Sequence, residues 1–241
     1  MANKKIIGFL AILFLLVFYA YFASAVPGGP TLVSNTTDAG PDLTAGLQRS
    51  DPKGTITTMV LNFTQQNLRW KAYVGNISGK YALQDSSNYM IYEWNFSSDS
   101  GEIYATRAST TPTWTSVACA QQTDIDAEDA ALNHASSNSD TINKTFSYQI
   151  HKAFSVGSVP INQNTCRSTA TFINNAPQTM DPGTTKFQEV LLKAGSAFLY
   201  VTLFSYNTPG YNNKPYDFQI LVAEDDTAGS PTTYYFYVEL I

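Results

Sequence analysis

Apolar and polar residues follow three regimes along this chain. The first is an apolar run at residues 6–18, preceded by Lys4-Lys5 and closed by Ala23-Ser24-Ala25. A charged start, an apolar middle and a small-x-small end make the layout of a secretory signal peptide, cleaved after Ala25. The competing reading is an uncleaved N-terminal membrane anchor, because the run approaches the length that spans about 30 Å of hydrocarbon. In both readings Lys4 and Lys5 stay inside and the remainder is exported. The second regime, residues 26–54, has few large apolar side chains and is broken by Pro27-Gly28-Gly29-Pro30, Pro41, Gly46, Pro52 and Gly54. It reads as a Pro/Gly-rich linker or flexible N-terminal arm into which no helix continues from the leader.

From Thr55 onward the period becomes two. Thr57, Met59, Leu61 and Phe63 form one row, and Leu68, Trp70, Ala72 and Val74 form the next, alternating with Arg69, Lys71 and Tyr73. Such rows predict strands with one buried face. Residues 75–80 read as a turn with Asn76 at its tip. Met90, Tyr92, Trp94 and Phe96, then Ile103 and Ala105, flank Ser97-Ser98-Asp99-Ser100-Gly101, which predicts a hairpin. One short helix interrupts the strands at residues 123–132. Its acids Asp124 and Asp126 sit where the helix dipole favours them, and Ile125, Leu132 and Ala135 form a narrow stripe for burial. Further strands are expected at residues 145–150, 154–159, 167–173, 187–192, 197–206, 216–222 and 232–241, with a loop at 174–185. The last of these is expected to pair within its own sheet, the alternative being exchange with a neighbouring subunit. The fold class is therefore all-β and mainly antiparallel, a β-sandwich or two stacked β domains over residues 55–241 with one short helix.

Charge removes some partners from consideration. Beyond Lys4 and Lys5 the chain carries 12 basic and 19 acidic residues, a formal charge of −7. An acidic chain without a basic run does not suit nucleic acid or an anionic lipid surface. Membrane contact is expected only through the N-terminal segment, if it is not cleaved. Two cysteines in an exported chain, Cys119 and Cys166, are expected to form a disulfide.

Catalytic and metal-binding patterns are sparse. Only His134 and His151 are present, both expected at ordinary surface positions, and no GxSxG, HExxH or SxxK motif occurs. The acidic groups Asp124, Asp126, Glu128, Asp129 and Glu224-Asp225-Asp226 lack the alternating oxygen ligands and turn glycine of a calcium loop. No enzyme activity, metal or cofactor is expected. Five N-glycosylation acceptors are present at Asn35, Asn62, Asn76, Asn95 and Asn143, whereas Asn207-Thr208-Pro209 does not fit the pattern. Among the tryptophans, Trp70 and Trp94 fall on rows expected to face inward. Trp114, in Thr110-Thr111-Pro112-Thr113-Trp114, is the one expected to be exposed and able to stack on a ligand.

Four segments carry a resemblance: Arg69-Trp70-Lys71-Ala72-Tyr73-Val74-Gly75-Asn76, Gly101-Glu102-Ile103-Tyr104-Ala105-Thr106-Arg107, Phe187-Gln188-Glu189-Val190-Leu191-Leu192 and Tyr234-Tyr235-Phe236-Tyr237-Val238-Glu239. They resemble segments of uncharacterised secreted surface proteins of small-genome archaea. The resemblance implies a surface-exposed, glycosylated cell-envelope protein and brings no activity or functional residue with it. Export, low charge, strand-rich sequence and missing catalytic motifs together give one expectation. The chain is a non-catalytic structural protein of the cell surface, an S-layer-like or filament subunit, whose partners are copies of itself or other surface proteins. The alternative is an extracellular carbohydrate-binding or adhesion module, with glycans as its ligands.

Overall fold

Two adjacent apolar runs, separated by Gly195-Ser196, form the centre of the architecture. The computed structural model describes residues 26–38, 50–59, 66–95, 100–227 and 229–240. In chain order its elements are β1 (Trp70–Gly75), β2 (Lys80–Gln84), β3 (Met90–Asn95), β4 (Gly101–Thr106), a 3-10 turn (Trp114–Ser116), β5 (Val117–Cys119), α1 (Gln122–Ala131), α2 (Ile142–Thr145), β6 (Phe154–Val156), β7 (Val159–Ile161), β8 (Ser168–Ala170), β9 (Gln188–Ala194), β10 (Ala197–Leu203), β11 (Thr208–Pro209), β12 (Pro215–Tyr216), β13 (Phe218–Ala223) and β14 (Tyr235–Leu240). All the strand pairings are antiparallel. The expected all-β, mainly antiparallel class is what the structure shows, with two α-helices among the described residues where one was expected.

β9 and β10 pair through a two-residue turn, and Gly195 at φ 63° supplies the left-handed first position that such a turn gives to glycine. β4 lies on the other side of β10, and β14 on the other side of β4, so the main sheet runs β14-β4-β10-β9-β5 with β8 also on β9. Both faces of this sheet are covered. On one, Tyr104, Val190, Leu192, Leu199 and Val201 meet Trp114, Val117 and the β6–β7 hairpin residues Phe154, Val156 and Ile161. On the other, Ala105, Leu191 and Tyr200 meet Ile125, Leu132, Ile142 and Phe146 around the helices, and Ile220 and Val222 of β13. β13 pairs with β1, and among the described residues β2 pairs only with β3. Burial of each large side chain in these layers stabilises the fold by about 1.5–3 kcal/mol.

Several expected elements are repaired or repartnered. The hairpin expected between residues 90–96 and 103–105 does not form. β4 is buried at every position and sits between β10 and β14, whereas β3 turns back onto β2. That turn is made by Asp85, whose carboxylate accepts the N–H groups of Ser87 (2.8 Å) and Tyr89 (3.0 Å), and by Asn88 at φ 66°. The strand expected at 145–150 shrinks to a single antiparallel bridge between Tyr148 and Ser168, and α2 ends on its first residue, capped where the Thr141 hydroxyl accepts the N–H of Lys144 at 3.2 Å. The strand expected at 154–159 is the β6–β7 hairpin, turned at Gly157 with φ 55°. β9 begins one residue late because Phe187 itself adopts φ 48°. In α1 the buried face is Ile125 and Leu132, but Ala135 is exposed. Thr57 and Met59 are not in a strand, and the rest of that row, the leader, Asn62 and the turn residues 97–99 lie outside the described residues.

The terminal strand β14 pairs within its own sheet, Val238 opposite Ile103 and Leu240 opposite Gly101. The expected disulfide, Cys119–Cys166, is present with Cα atoms 5.0 Å apart. Its position explains its use. β5 and β8 share one edge of β9 end to end, Cys119 lying opposite Leu192 and Ser168 opposite Val190. The bond joins the two short strands where neither has enough ladder to hold itself. For the sequence separation of 47, the chain-entropy estimate is roughly 4 kcal/mol. We expect Cys119→Ser with Cys166→Ser to lower unfolding stability by about 2–4 kcal/mol, measured by urea denaturation, with fastest hydrogen exchange gained in β5 and β8.

Candidate functional site

The chemistry-bearing side chains do not converge. Both histidines are buried rather than on the surface, His134 at 6% exposure and His151 at 0%. His151 Nε2 accepts the backbone N–H groups of Thr165 (3.1 Å) and Cys166 (3.0 Å), and Nδ1 donates to the Lys152 carbonyl at 2.8 Å. Both nitrogens are therefore occupied by the loop that carries Cys166. Burial holds this imidazole below its usual pKa, against a smaller upward pull from the Lys152 carbonyl. His134 joins Asp129 (3.1 Å) to the Glu224 carbonyl (2.8 Å). Burial alone would lower its pKa, but Asp129 and the Glu224 carbonyl outweigh it and raise the value. A nucleophile–base pair has no free imidazole to use here.

The acidic groups are divided among separate structural partners. Asp124 closes the capping box of α1 with the Gln121 N–H (2.9 Å) and pairs with Lys193. Asp126 accepts from Gln122 at 2.8 Å, and Glu128 accepts from Nε and Nη2 of Arg107, each at 2.8 Å. Asp129 accepts the N–H of Ile142 at 2.8 Å, joining α1 to α2. In the second group Glu224 pairs with Lys71, Asp226 with Arg69 at 3.0 Å, and Asp225 accepts from Asn133 at 2.9 Å. Among the described residues, no group of three or more His, Cys, Asp or Glu is arranged to hold a metal ion.

A carboxylate pair that sequence reading did not single out lies inside the sheet. Glu102 and Glu239 are directly opposite on β4 and β14, at 2% and 4% exposure. Like charges so placed repel, and burial adds to the cost of ionisation. Burial, then Glu239, pushes Glu102 up to about 8, with Lys152 pulling the other way. Burial raises Glu239 as well, partly offset by the Tyr104 hydroxyl at 2.8 Å and the Gly157 N–H at 2.9 Å. The pair therefore keeps a proton through neutral pH. Its strict alternation with Tyr104 on β4 is a sequence signal, but nothing in the sequence pairs β4 with β14.

The tryptophans reverse the expectation. Trp114 is buried at 8%, between Tyr104 and Tyr237 with both ring centroids 5.2 Å away. The 3-10 turn after Pro112 folds it back onto the sheet, so it offers no stacking surface. Trp70 is half-buried, its indole N–H donating to the Asp140 carbonyl at 2.7 Å. Trp94 is the exposed one, at 50%, with its ring edge-on to Tyr92 at 4.8 Å. It belongs to β3, where Met90, Ile91 and Tyr92 are 60%, 80% and 60% exposed, beside Leu83 of β2 at 56%. Leu83 lies opposite Tyr92 across the ladder, while Lys80 and Glu93 form an ion pair at 2.7 Å. This two-stranded sheet thus gathers exposed apolar side chains that no other strand among the described residues covers, and it is the candidate functional surface.

Of the glycan acceptors, Asn35 and Asn76 are exposed and outside any strand or helix. Asn143 lies in α2, half-buried, with its side-chain oxygen accepting from Gln122 at 3.2 Å. The side chain of Asn95, at the end of β3, lies outside the described residues, as does Asn62. No helix among the described residues is long and apolar enough to cross a membrane. The disulfide is compatible with an extracellular protein. Compared with protein families, curated proteins and solved structures, the chain matches none.

Two outcomes follow from this geometry. Because the folded pKa of Glu102 exceeds its unfolded value of 4.5, the stability it contributes is full below 4.5 and is lost as pH rises toward about 8. Glu102→Gln keeps the shape and cannot ionise, so the variant's urea midpoint is expected to gain steadily on the parent's as pH rises from 5 to 8.5. A parent and variant with parallel profiles would remove the shared-proton account. For the glycans, peptide mapping of protein from its native cells is expected to find Asn35 and Asn76 occupied and Asn143 bare.

Proposed function

We propose that this chain is an exported, non-catalytic structural protein of the cell surface, an S-layer-like or filament subunit that is glycosylated and associates with copies of itself. The observation that carries this reading is the exposed apolar ladder of β2 and β3. A two-stranded sheet is marginal on its own in water, and one that exposes Leu83, Met90, Ile91, Tyr92 and Trp94 gains by being covered. The histidines and acids support it further, since each is engaged in holding loops and helices. The resemblance to secreted archaeal surface proteins belongs to the same reading.

A second reading is favoured by the Tyr92–Trp94 pair: two exposed rings at the same ladder also suit stacking on a sugar, making the chain a carbohydrate-binding or adhesion module. Electron microscopy of native cells and of released protein separates the two. Ordered filaments or a lattice agree with the structural reading, whereas a dispersed monomer that binds on a glycan array supports the other. Ile91→Thr with Trp94→Thr keeps strand propensity and removes two apolar contacts of about 1.5 kcal/mol each. The concentration needed for assembly is then expected to rise roughly a hundredfold, read by light scattering, while the melting temperature of the dispersed chain stays within a few degrees. Unchanged assembly would sink this surface as the contact.

A further inference from the structure

The two edges of the main sheet are closed by different means. On the β9 side the short strands β5 and β8 end the sheet, joined by the disulfide. On the other side β14 presents six residues. Its outer edge is met at one place only among the described residues, by the segment that follows the leader. The Gly28 N–H donates to the Val238 carbonyl at 3.0 Å and the Val238 N–H donates to the Gly28 carbonyl at 2.8 Å, forming an antiparallel bridge. Pro27 beside it is buried. Alternation along a strand turns the backbone groups of Phe236 and Leu240 to the same outer edge as Val238. Antiparallel register would bring Pro30 opposite Phe236, and proline has no N–H to donate. The arm is therefore an extended strand piece that grips one residue of the edge and cannot lengthen its ladder past Pro30.

Such a contact is small. Two backbone hydrogen bonds contribute about 1 kcal/mol each, with the burial of Pro27 added. What holds it within one molecule is the tether: 41 residues, from Gly29 to Arg69, separate the arm from β1. For a link of this length the effective concentration is on the order of 1 mM, a level that neighbouring copies crowded on a surface can match. An identical contact is available to the arm of an adjacent molecule, because the edge and the arm are both present on every copy. We propose that the outer edge of β14 is a docking edge for residues 26–30, filled by the chain's own arm when molecules are dispersed and by the arm of a second copy when they are crowded on a surface. The inference rests on the assembly reading above and gives that assembly a directional contact, distinct from the β2–β3 ladder.

The test is cross-linking in the full chain with Gly28→Cys and Val238→Cys. Residues bridged in this way have Cα atoms about 4.5–5.5 Å apart, within the range a disulfide accepts. Equal amounts of nitrogen-15-labelled and unlabelled protein are mixed, oxidised and digested, and the 28–238 linked peptides are weighed, with the Cys119–Cys166 peptide confirming that the native bond is intact. Below about 0.1 mM the links are expected within single chains; near 1 mM about a quarter are expected to join labelled to unlabelled copies, rising toward the limit of about half that random pairing of equal amounts allows. The same cysteines on intact cells should give a ladder of covalent oligomers. Links that stay within single chains at every density, or no 28–238 link at all, would overturn the inference. Ordered assemblies seen by microscopy with only internal links would overturn it while leaving the assembly reading standing, and a dispersed chain on cells would remove both.

Discussion

The whole structure depends on one sheet being dry on both sides. Val190, Leu191, Leu192, Leu199, Tyr200 and Val201 are all at 0% exposure, so alternate positions of β9 and β10 face two different covers. Some of those covers are loops, and a loop laid on a dry sheet brings backbone groups that lose water. The fold meets this with polar side chains rooted in or beside the sheets. Gln188 accepts from the Lys152 N–H and donates to the carbonyls of Asp181, Pro182 and Thr185. Gln219 holds the Tyr211 N–H and the Phe172 carbonyl, and Asp217 holds the N–H groups of Ile77 and Asn207. Glu189, fully buried, accepts from Leu221 and so ties the main sheet to β13. These residues take the place of ladder partners. Truncating Gln188, Gln219 or Asp217 would leave two or more orphaned backbone groups at once, and truncating Glu189 would leave one, at about 1–3 kcal/mol per group.

The same logic accounts for carboxylates that would otherwise be hard to tolerate. Burial pushes the Glu189 carboxyl well above its usual range, against the pull of the Leu221 N–H. Glu102 and Glu239 go further by facing each other across a ladder. A proton kept on the pair removes the like-charge repulsion that the β4–β14 ladder would otherwise carry at that rung. Glu239 also accepts from Gly157, so the turn of β6–β7 is held to the terminal strand. The join between β14 and the body is therefore partly polar and titratable, unlike the β9–β10 join.

How much of this could be read from sequence follows from what periodicity reports. It shows which residues share a face, and the strands at 187–192 and 197–206 were legible as continuous apolar runs, whereas the row at 68–74 gave a strand, β1, without the dry face expected of it, since Leu68 and Ala72 are exposed. The disulfide was legible from compartment and count. Partners were not, since a period of two is identical for a strand at the centre of a sheet and one in a free ribbon. Met90, Tyr92 and Trp94 make as good an inward row as Ile103 and Ala105, yet only the second is dry. Trp114 was misplaced for a related reason: Pro112 and the polar threonines around it suggest a loop, and a 3-10 turn then swings the ring inward between Tyr104 and Tyr237. The histidines looked like surface residues because the groups they satisfy, such as the N–H of Cys166, are revealed only by the folded loop.

On the proposed reading, two contacts of different physical kinds would serve one assembly. The β2–β3 ladder is apolar and weakly directional, so it brings copies together without fixing their relative orientation. The β14 edge is made of backbone hydrogen bonds and sets both direction and register. A head-to-tail contact such as arm to edge closes into a ring or runs into a filament, according to the rotation it imposes. A second, independent contact on a different face converts such rows into a sheet. Neither contact alone needs to be strong, because each subunit in a two-dimensional array is held by several at once, and the acidic surface of the chain opposes any closer, unspecific collapse. Weak, repeated and directional contacts of this sort permit errors to leave before they are locked in, which a regular layer requires.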